Sequence, residues 1–122
     1  MRTLEMEKER VEIRMQVLVT KGQKYWVAIC LNHYFAAQGS NIEDALQSLM
    51  ETQAAYMICN LEQEREPLHG TKAAPDELWE LFTESANPVN KNMSVKIPKE
   101  FQGQKIYDSL ANDVRIIKET AA

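Results

Sequence analysis

Residues 25–56 read YWVAICLNHYFAAQGSNIEDALQSLMETQAAY, and this stretch decides the fold. Residues 25–31 are apolar on both faces, which is typical of a central strand with a helix packed against the sheet. Residues 32–34 then turn the chain, and residues 35–38 predict a short third strand. Ser40 and Glu43 stand in capping-box register, so the spacing predicts a helix that begins near Ile42.

The predicted helix extends from residue 42 to about residue 63. Glu43 and Asp44 place negative charge at the positive end of its dipole. Apolar residues recur at helical spacing and form one face. They are Ile42, Ala45, Leu46, Leu49, Met50, Ala54, Met57 and Leu61. Tyr56 lies off this face and is therefore a candidate for contact with a partner protein.

The flanking segments complete an α+β pattern. Residues 11–19 alternate between apolar and more polar side chains, as in a half-buried strand. The polar connection at residues 20–24 predicts a hairpin to the next strand. After a loop at residues 64–74, Pro75 suits the first turn of a short second helix. We expect a small antiparallel sheet of the β-β-β-α-β kind, one long packed helix, a short second helix and a C-terminal strand–helix extension.

The C-terminal extension, residues 91–122, follows a linker at residues 87–90 and a first domain at residues 1–90. Residues 93–97 alternate like a strand, whereas the spacing of later apolar residues fits an amphipathic helix, although residues 114–117 could instead form a strand. So many apolar residues predict self-association into a dimer or tetramer through this extension. The candidate residues for oligomerisation are Val95, Ile97, Ile106, Leu110, Val114 and Ile117.

The segments 25–28, 30–31, 37–39 and 42–46 together resemble the HicB-like family, the antitoxin half of HicA/HicB toxin–antitoxin systems. The stretch at residues 65–68, after the helix, also resembles members of this family. This resemblance implies a β-β-β-α-β core, described as a partial ribonuclease H-like fold. It also implies a protein that binds and covers a small ribonuclease toxin of HicA type. The chain departs from many family members at residues 32–35, where they have a Pro-Gly-Cys type of turn. Candidate partner-binding residues are His33, Tyr34, Phe35 and Tyr56.

Three other functions are weighed against this one. A transcriptional regulator would dimerise and bind DNA through residues 91–122, although the net charge of -4 gives DNA binding little support. An orphan HicB-like protein would have the same fold and no toxin. A hydrolase would use His33 or His69, but neither has a neighbouring residue in the sequence that would form a nucleophilic pair with it.

The sequence indicates no enzyme, metal or cofactor. The first predicted strand offers only Glu12 as a metal-binding acid, the second offers none, and Cys30 and Cys59 belong to no Cys/His cluster. Residues 1–12 are rich in charge and contain no apolar run, and no later segment approaches membrane-spanning length. We therefore expect a cytoplasmic protein without a membrane partner.

Overall fold

The computed structural model describes residues 9–85, 88–89, 93–96 and 105–117. In chain order the elements are β1 (Glu9–Lys21), β2 (Trp26–Cys30), β3 (Phe35–Gly39), α1 (Ile42–Glu62), α2 (Asp76–Glu84), β4 (Pro88–Val89), β5 (Met93–Lys96) and β6 (Lys105–Ile116). The strands join in one sheet with a long and a short helix. The predicted α+β class is confirmed.

The sheet has the order β3-β2-β1-β6-β4, and β5 also pairs with β6. β1, β2 and β3 form the expected antiparallel meander. β6, however, runs parallel to β1, from the pair Glu9–Lys105 to the pair Val19–Ile116. The sheet is therefore mixed rather than wholly antiparallel. The physical reason is the path of the chain after α2. β4 and β5 run antiparallel to β6, from the end of the sheet where β1 finishes towards the end where it begins, so β6 starts beside the start of β1.

The C-terminal segment is a strand where a helix was predicted. β6 contains a bulge, because Met15 pairs with Ala111 while Gln16 pairs with Asp113, which leaves one extra residue in β6. The bulge shifts the two-residue alternation, so apolar residues before and after it no longer share one register. Their spacing then imitates the period of a helix. The helix prediction was wrong, and the strand alternative for residues 114–117 holds over 114–116.

The two faces of the sheet are covered by different helices. On one face, α1 buries Leu46 and Leu49 against Met15 and Val17 of β1. On the other face, Phe82 of α2 joins a second cluster, which also contains Leu18, Leu31 and Ala74. The apolar character of both faces of β2 follows from this arrangement.

The C-terminal strand belongs to the same core as the N-terminal strands. Ala111 and Val114 of β6 pack in the α1 cluster, and β4 pairs with β6 across the predicted boundary at residue 90. Residues 105–117 therefore share a sheet and a core with residues 9–85, and the division at residue 90 stays a prediction.

The start of α1 lies within a residue of its predicted position, but its cap is different. The N-cap is Asn41, whose side-chain oxygen accepts a hydrogen bond from the Asp44 N–H at 2.8 Å. Ser40, the predicted cap, donates its hydroxyl to the Asp44 carboxylate at 2.7 Å. Both residues thus stabilise the first turn, and the capping box predicted with Glu43 is replaced by a cap on Asp44.

Candidate protein-interaction surface

The turn between β2 and β3 is fixed to the middle of β1. The Asn32 side-chain oxygen accepts a hydrogen bond from the Gln16 N–H at 2.7 Å, and the Asn32 amide donates to the Gln16 side chain at 3.2 Å. The Leu31 N–H donates to the Gln16 carbonyl at 2.9 Å. The turn that follows β2 is therefore held by backbone and side-chain bonds together.

Tyr34 stands at the tip of this turn. Its φ of 56° lies in the left-handed region, which residues other than glycine seldom occupy. Its side chain is 51% exposed. The fold thus presents an aromatic ring to solvent from a backbone whose conformation is fixed by its neighbours.

His33 connects the turn to the loop between the helices, residues 63–75. Its Nδ1 lies 2.8 Å from the Thr71 hydroxyl, which in turn donates to the Leu68 carbonyl at 2.8 Å. A hydroxyl has one proton to donate, so His33 must be the donor in the first bond. Burial lowers the pKa of His33 and favours this neutral, donating imidazole. The His33–Thr71 pair is therefore a structural tie and not a base beside a nucleophile.

Phe35 and Tyr56 bring α1 to the same place. Their rings meet edge to face, with centroids 5.1 Å apart and planes at 64°. The Tyr56 hydroxyl donates to the His69 carbonyl in the interhelical loop. We call the surface formed by His33, Tyr34, Phe35, Tyr56 and His69 the turn surface. The fold brings the four predicted partner-binding residues together here, and their binding of a partner stays a prediction.

The interhelical loop is the part of this surface that the sequence did not reveal. The side-chain amide of Asn60 in α1 donates to the Pro67 carbonyl at 2.9 Å. The backbone carbonyl of Asn60 accepts from the Arg65 N–H at 2.9 Å. Pro67 and Gly70 mark a loop in the sequence. Its contact with a turn 38 residues earlier, through Thr71 and His33, has no local signal.

Some of the residues predicted for oligomerisation lie in the protein's own core, and others lie outside the residues whose side chains are described. Val114 is 2% exposed and belongs to the α1 core, so it is not available to a second chain. Ile117 packs against the α2 cluster, and Leu110 is half-buried. Ile97 lies outside the described residues, as do the side chains of Val95 and Ile106.

The titratable groups of the described residues form no metal-binding cluster of three or more His, Cys, Asp or Glu side chains. Cys30 is buried, and its burial raises the pKa of the thiol, whereas Cys59 is exposed. Within the same part of the chain, neither helix combines the length and apolarity needed to cross a bilayer.

Comparisons with known proteins returned no matching family model, no similar curated protein and no similar solved structure.

Proposed function

We propose that the protein is a non-catalytic protein-binding module resembling a HicB antitoxin, and that its partner is a small ribonuclease toxin of HicA type. Residues 25–46 support this proposal, because the strand before the turn, the Gln-Gly step and the helix start resemble the family, although the turn at residues 32–35 departs from it. The order β1-β2-β3-α1, followed later by a strand beside β1, agrees with the core that the resemblance implies. A partner of this kind acts in the cytoplasm, where we also place this protein.

The observation that carries the proposal is the exposed Tyr34 on its fixed turn. Tyrosine is enriched among the residues that dominate binding energies, because its ring offers a large contact area with few rotatable bonds. Asn32 is tied to β1 and His33 to the interhelical loop, and these hydrogen bonds reduce the ordering that binding would require. Such a ring is suited to fill a pocket on a partner.

The overall charge fits the same type of partner. The chain carries a formal net charge of -4. A small ribonuclease needs positive charge to hold RNA, so its active surface would attract an acidic protein and orient it during encounter. Covering that surface would block access of RNA without chemistry by the antitoxin.

The other candidate functions have less support. The regulator hypothesis uses residues 91–122 to bind DNA, but β6 places Tyr107, Ala111 and Val114 in the protein's own core. An orphan HicB-like protein would retain the turn surface for a different partner. Self-association as a dimer or tetramer remains part of the proposal. The outer side of β3, which no strand of the described residues pairs with, is one place where a second chain can pair.

The test is first whether the neighbouring reading frame encodes a small basic protein, and then whether that protein, purified separately, binds this chain in calorimetry. Absence of such a reading frame would favour the orphan module. Tyr34→Ala should weaken binding by about 2 kcal/mol or more, as expected for an aromatic residue at the centre of an interface. Tyr25→Ala is the matched control, since Tyr25 is 48% exposed in the other hairpin of the meander. It should change the binding energy by less than about 0.5 kcal/mol.

Two results would contradict the proposal. Absence of binding by the wild-type protein would remove the toxin as partner and leave the orphan module. Equal loss of affinity in the Tyr34 and Tyr25 variants would place the interface elsewhere. Circular dichroism of both variants would verify that the fold is retained.

A further inference from the structure

β3 lies at one end of the sheet. It pairs with β2 on one side, and no strand among residues 9–85, 88–89, 93–96 and 105–117 pairs with it on the other. Charged residues, prolines and bulges usually protect such an edge from pairing with a second chain. Residues 34–42 contain no charge and no proline, and the β2–β3 register has no bulge. The outer side of β3 therefore lacks these protective features.

The existing ladder shows which backbone groups of β3 face outwards. The Gln16 carbonyl accepts from the first N–H after β2 at 2.9 Å, so Gln16 and, two residues on, Leu18 face β2. Leu18 lies opposite Ile29, which therefore directs its own N–H and C=O to β1. Ile29 also lies opposite Ala36, so Ala36 must direct its N–H and C=O away from β2. Gln38, two residues further along β3, does the same, and both residues are exposed.

α1 has one flank towards β6 and the other towards the outer side of β3. Ala54 and Ile58 belong to a cluster with Tyr107 of β6, whereas Tyr56 meets Phe35 of β3 edge to face. The flank on the β3 side continues along the helix at three- and four-residue spacing. Its residues are Ser48, Thr52, Ala55 and Cys59, and none of them is buried. All four are small and uncharged, so they leave room for a second helix beside α1.

The charge of these surfaces favours a second copy of this chain as the occupant. The chain carries a formal net charge of -4, so two copies need a contact without like charges. The outer side of β3 and the adjoining flank of α1 provide such a contact, and they offer no charge that would attract a basic or an acidic segment of another protein. Two identical edges paired about a two-fold axis also leave no edge free for a third chain.

We infer that two copies of this chain pair antiparallel through β3, about a two-fold axis at Ala37. Ala36 of each copy lies opposite Gln38 of the other, and each such pair exchanges both backbone hydrogen bonds. The sheet then continues from one copy into the other. This inference rests on the self-association included in the proposed function and assigns its interface.

The same axis fixes which parts of α1 meet. Gly39 lies beneath Ala45, and Phe35 lies against Tyr56. Ala37 is midway along β3, so the axis passes near the middle of the helical segment between Ala45 and Tyr56. Thr52 is the exposed flank residue nearest to that point, and it lies close to Thr52 of the second copy. His33 and Tyr34 lie outside the paired strands, so the dimer presents two turn surfaces.

Two substitutions at Gln38 test the backbone contact in the full-length protein. Gln38→Pro removes an outward N–H and leaves the β2 ladder intact, and edge strands tolerate proline at such positions. Gln38→Ala removes the same side chain and keeps the N–H. Sedimentation equilibrium should show dimers of the wild type and the alanine variant at about 100 µM protein. The proline variant should associate at least about tenfold more weakly, because each copy loses a hydrogen bond.

Substitutions at Thr52 test the symmetry of the contact. Thr52→Glu and Thr52→Lys each place like charges beside the axis and should weaken association by about two- to fivefold. Both new residues are good helix formers, so α1 is retained. An equimolar mixture brings Glu opposite Lys and should associate more tightly than either variant alone.

A wild-type monomer at about 100 µM protein would overturn the inference. Equal dissociation constants for the two Gln38 variants would do the same. If circular dichroism shows that Gln38→Pro does not fold, the Thr52 variants decide, and a mixture that associates no more tightly than its components excludes this axis. If the wild type is a tetramer, Gln38→Pro should convert it to a dimer, and an unchanged tetramer would exclude the β3 contact. These measurements use no toxin, so Tyr34-dependent toxin binding by a monomeric chain would leave the proposed binding function standing while this inference fails.

Discussion

Gly39 lies where β3 gives way to α1, and the helix passes directly over it. A Cβ atom at this position would lie 2.4 Å from the Ala45 nitrogen and 2.6 Å from the Asp44 carbonyl carbon. Both are backbone atoms of the first helical turn, so no rotamer change can relieve the overlap. Gly39→Ala should therefore reduce the free energy of unfolding by about 2–4 kcal/mol, as overpacking does in a rigid site.

The control for this prediction is Gly22→Ala. Its Cβ would lie 3.2 Å from the Tyr25 carbonyl oxygen in a solvent-exposed hairpin, where a small shift suffices. We expect a cost below about 1 kcal/mol. Urea unfolding followed by circular dichroism measures both variants. Similar costs for the two glycines would show that the tight approach of α1 to β3 is not what requires Gly39.

At the residue scale, sequence alone found candidates but not their partners. Ser40 and Asn41 both have side chains that can cap a helix. In the folded protein Asn41 is the N-cap. Gln53 is a clearer case, because buried helix positions were predicted from apolar residues and Gln53 is polar. It is fully buried, and its amide donates to Ser109 of β6 at 3.1 Å. A contact across 56 residues leaves no trace in local periodicity.

α1 is the element that organises one side of the sheet. Leu46 is fully buried among residues of β1, β2 and β6. Leu46→Ala should lower the free energy of unfolding by about 2–5 kcal/mol, since the transfer energy is lost and a cavity remains. Thr52→Ala, on the exposed face of the same helix, should change it by less than about 0.5 kcal/mol. Chemical denaturation tests the pair, and a cost for Leu46→Ala as small as that of Thr52→Ala would contradict this packing.

Elements with one unbroken period were predicted well. β1, β2, β3 and α1 begin and end within about two residues of their predicted limits, because the apolar pattern of each is uninterrupted and turn or cap residues mark its ends. β6 was predicted as a helix, because its bulge places Ala111 and Val114 on the same face three residues apart. That spacing is the spacing of a helix face. Only the pairing with β1, which lies far away in the sequence, distinguishes the two structures.

At the scale of the whole molecule, β6 joins the two ends of the described chain. It lies between β1 on one side and β4 and β5 on the other. The chain here also contributes to both faces, with Val114 of β6 in the α1 core and Ile117, just after β6, against the α2 cluster. The turn surface is tied to Gln16 of β1, so its position depends on β1 being held in place by this strand.

A chain that ends at Asn90 should therefore fail to fold. Such a truncation removes β5 and β6, leaves β1 without its longest pairing, and uncovers the core around Met15 and Val17. Only about 5–15 kcal/mol of free energy separates folded from unfolded domains. The truncation removes the burial of Tyr107, Ala111 and Val114 together with this ladder, and the free energy lost is larger than that margin. Urea unfolding should show no cooperative transition, in contrast to the full-length protein under the same conditions. If the truncated chain instead unfolds cooperatively, with slowly exchanging amides in β2 and α1, then residues 91–122 are an independent extension, as the linker at residues 87–90 first indicated.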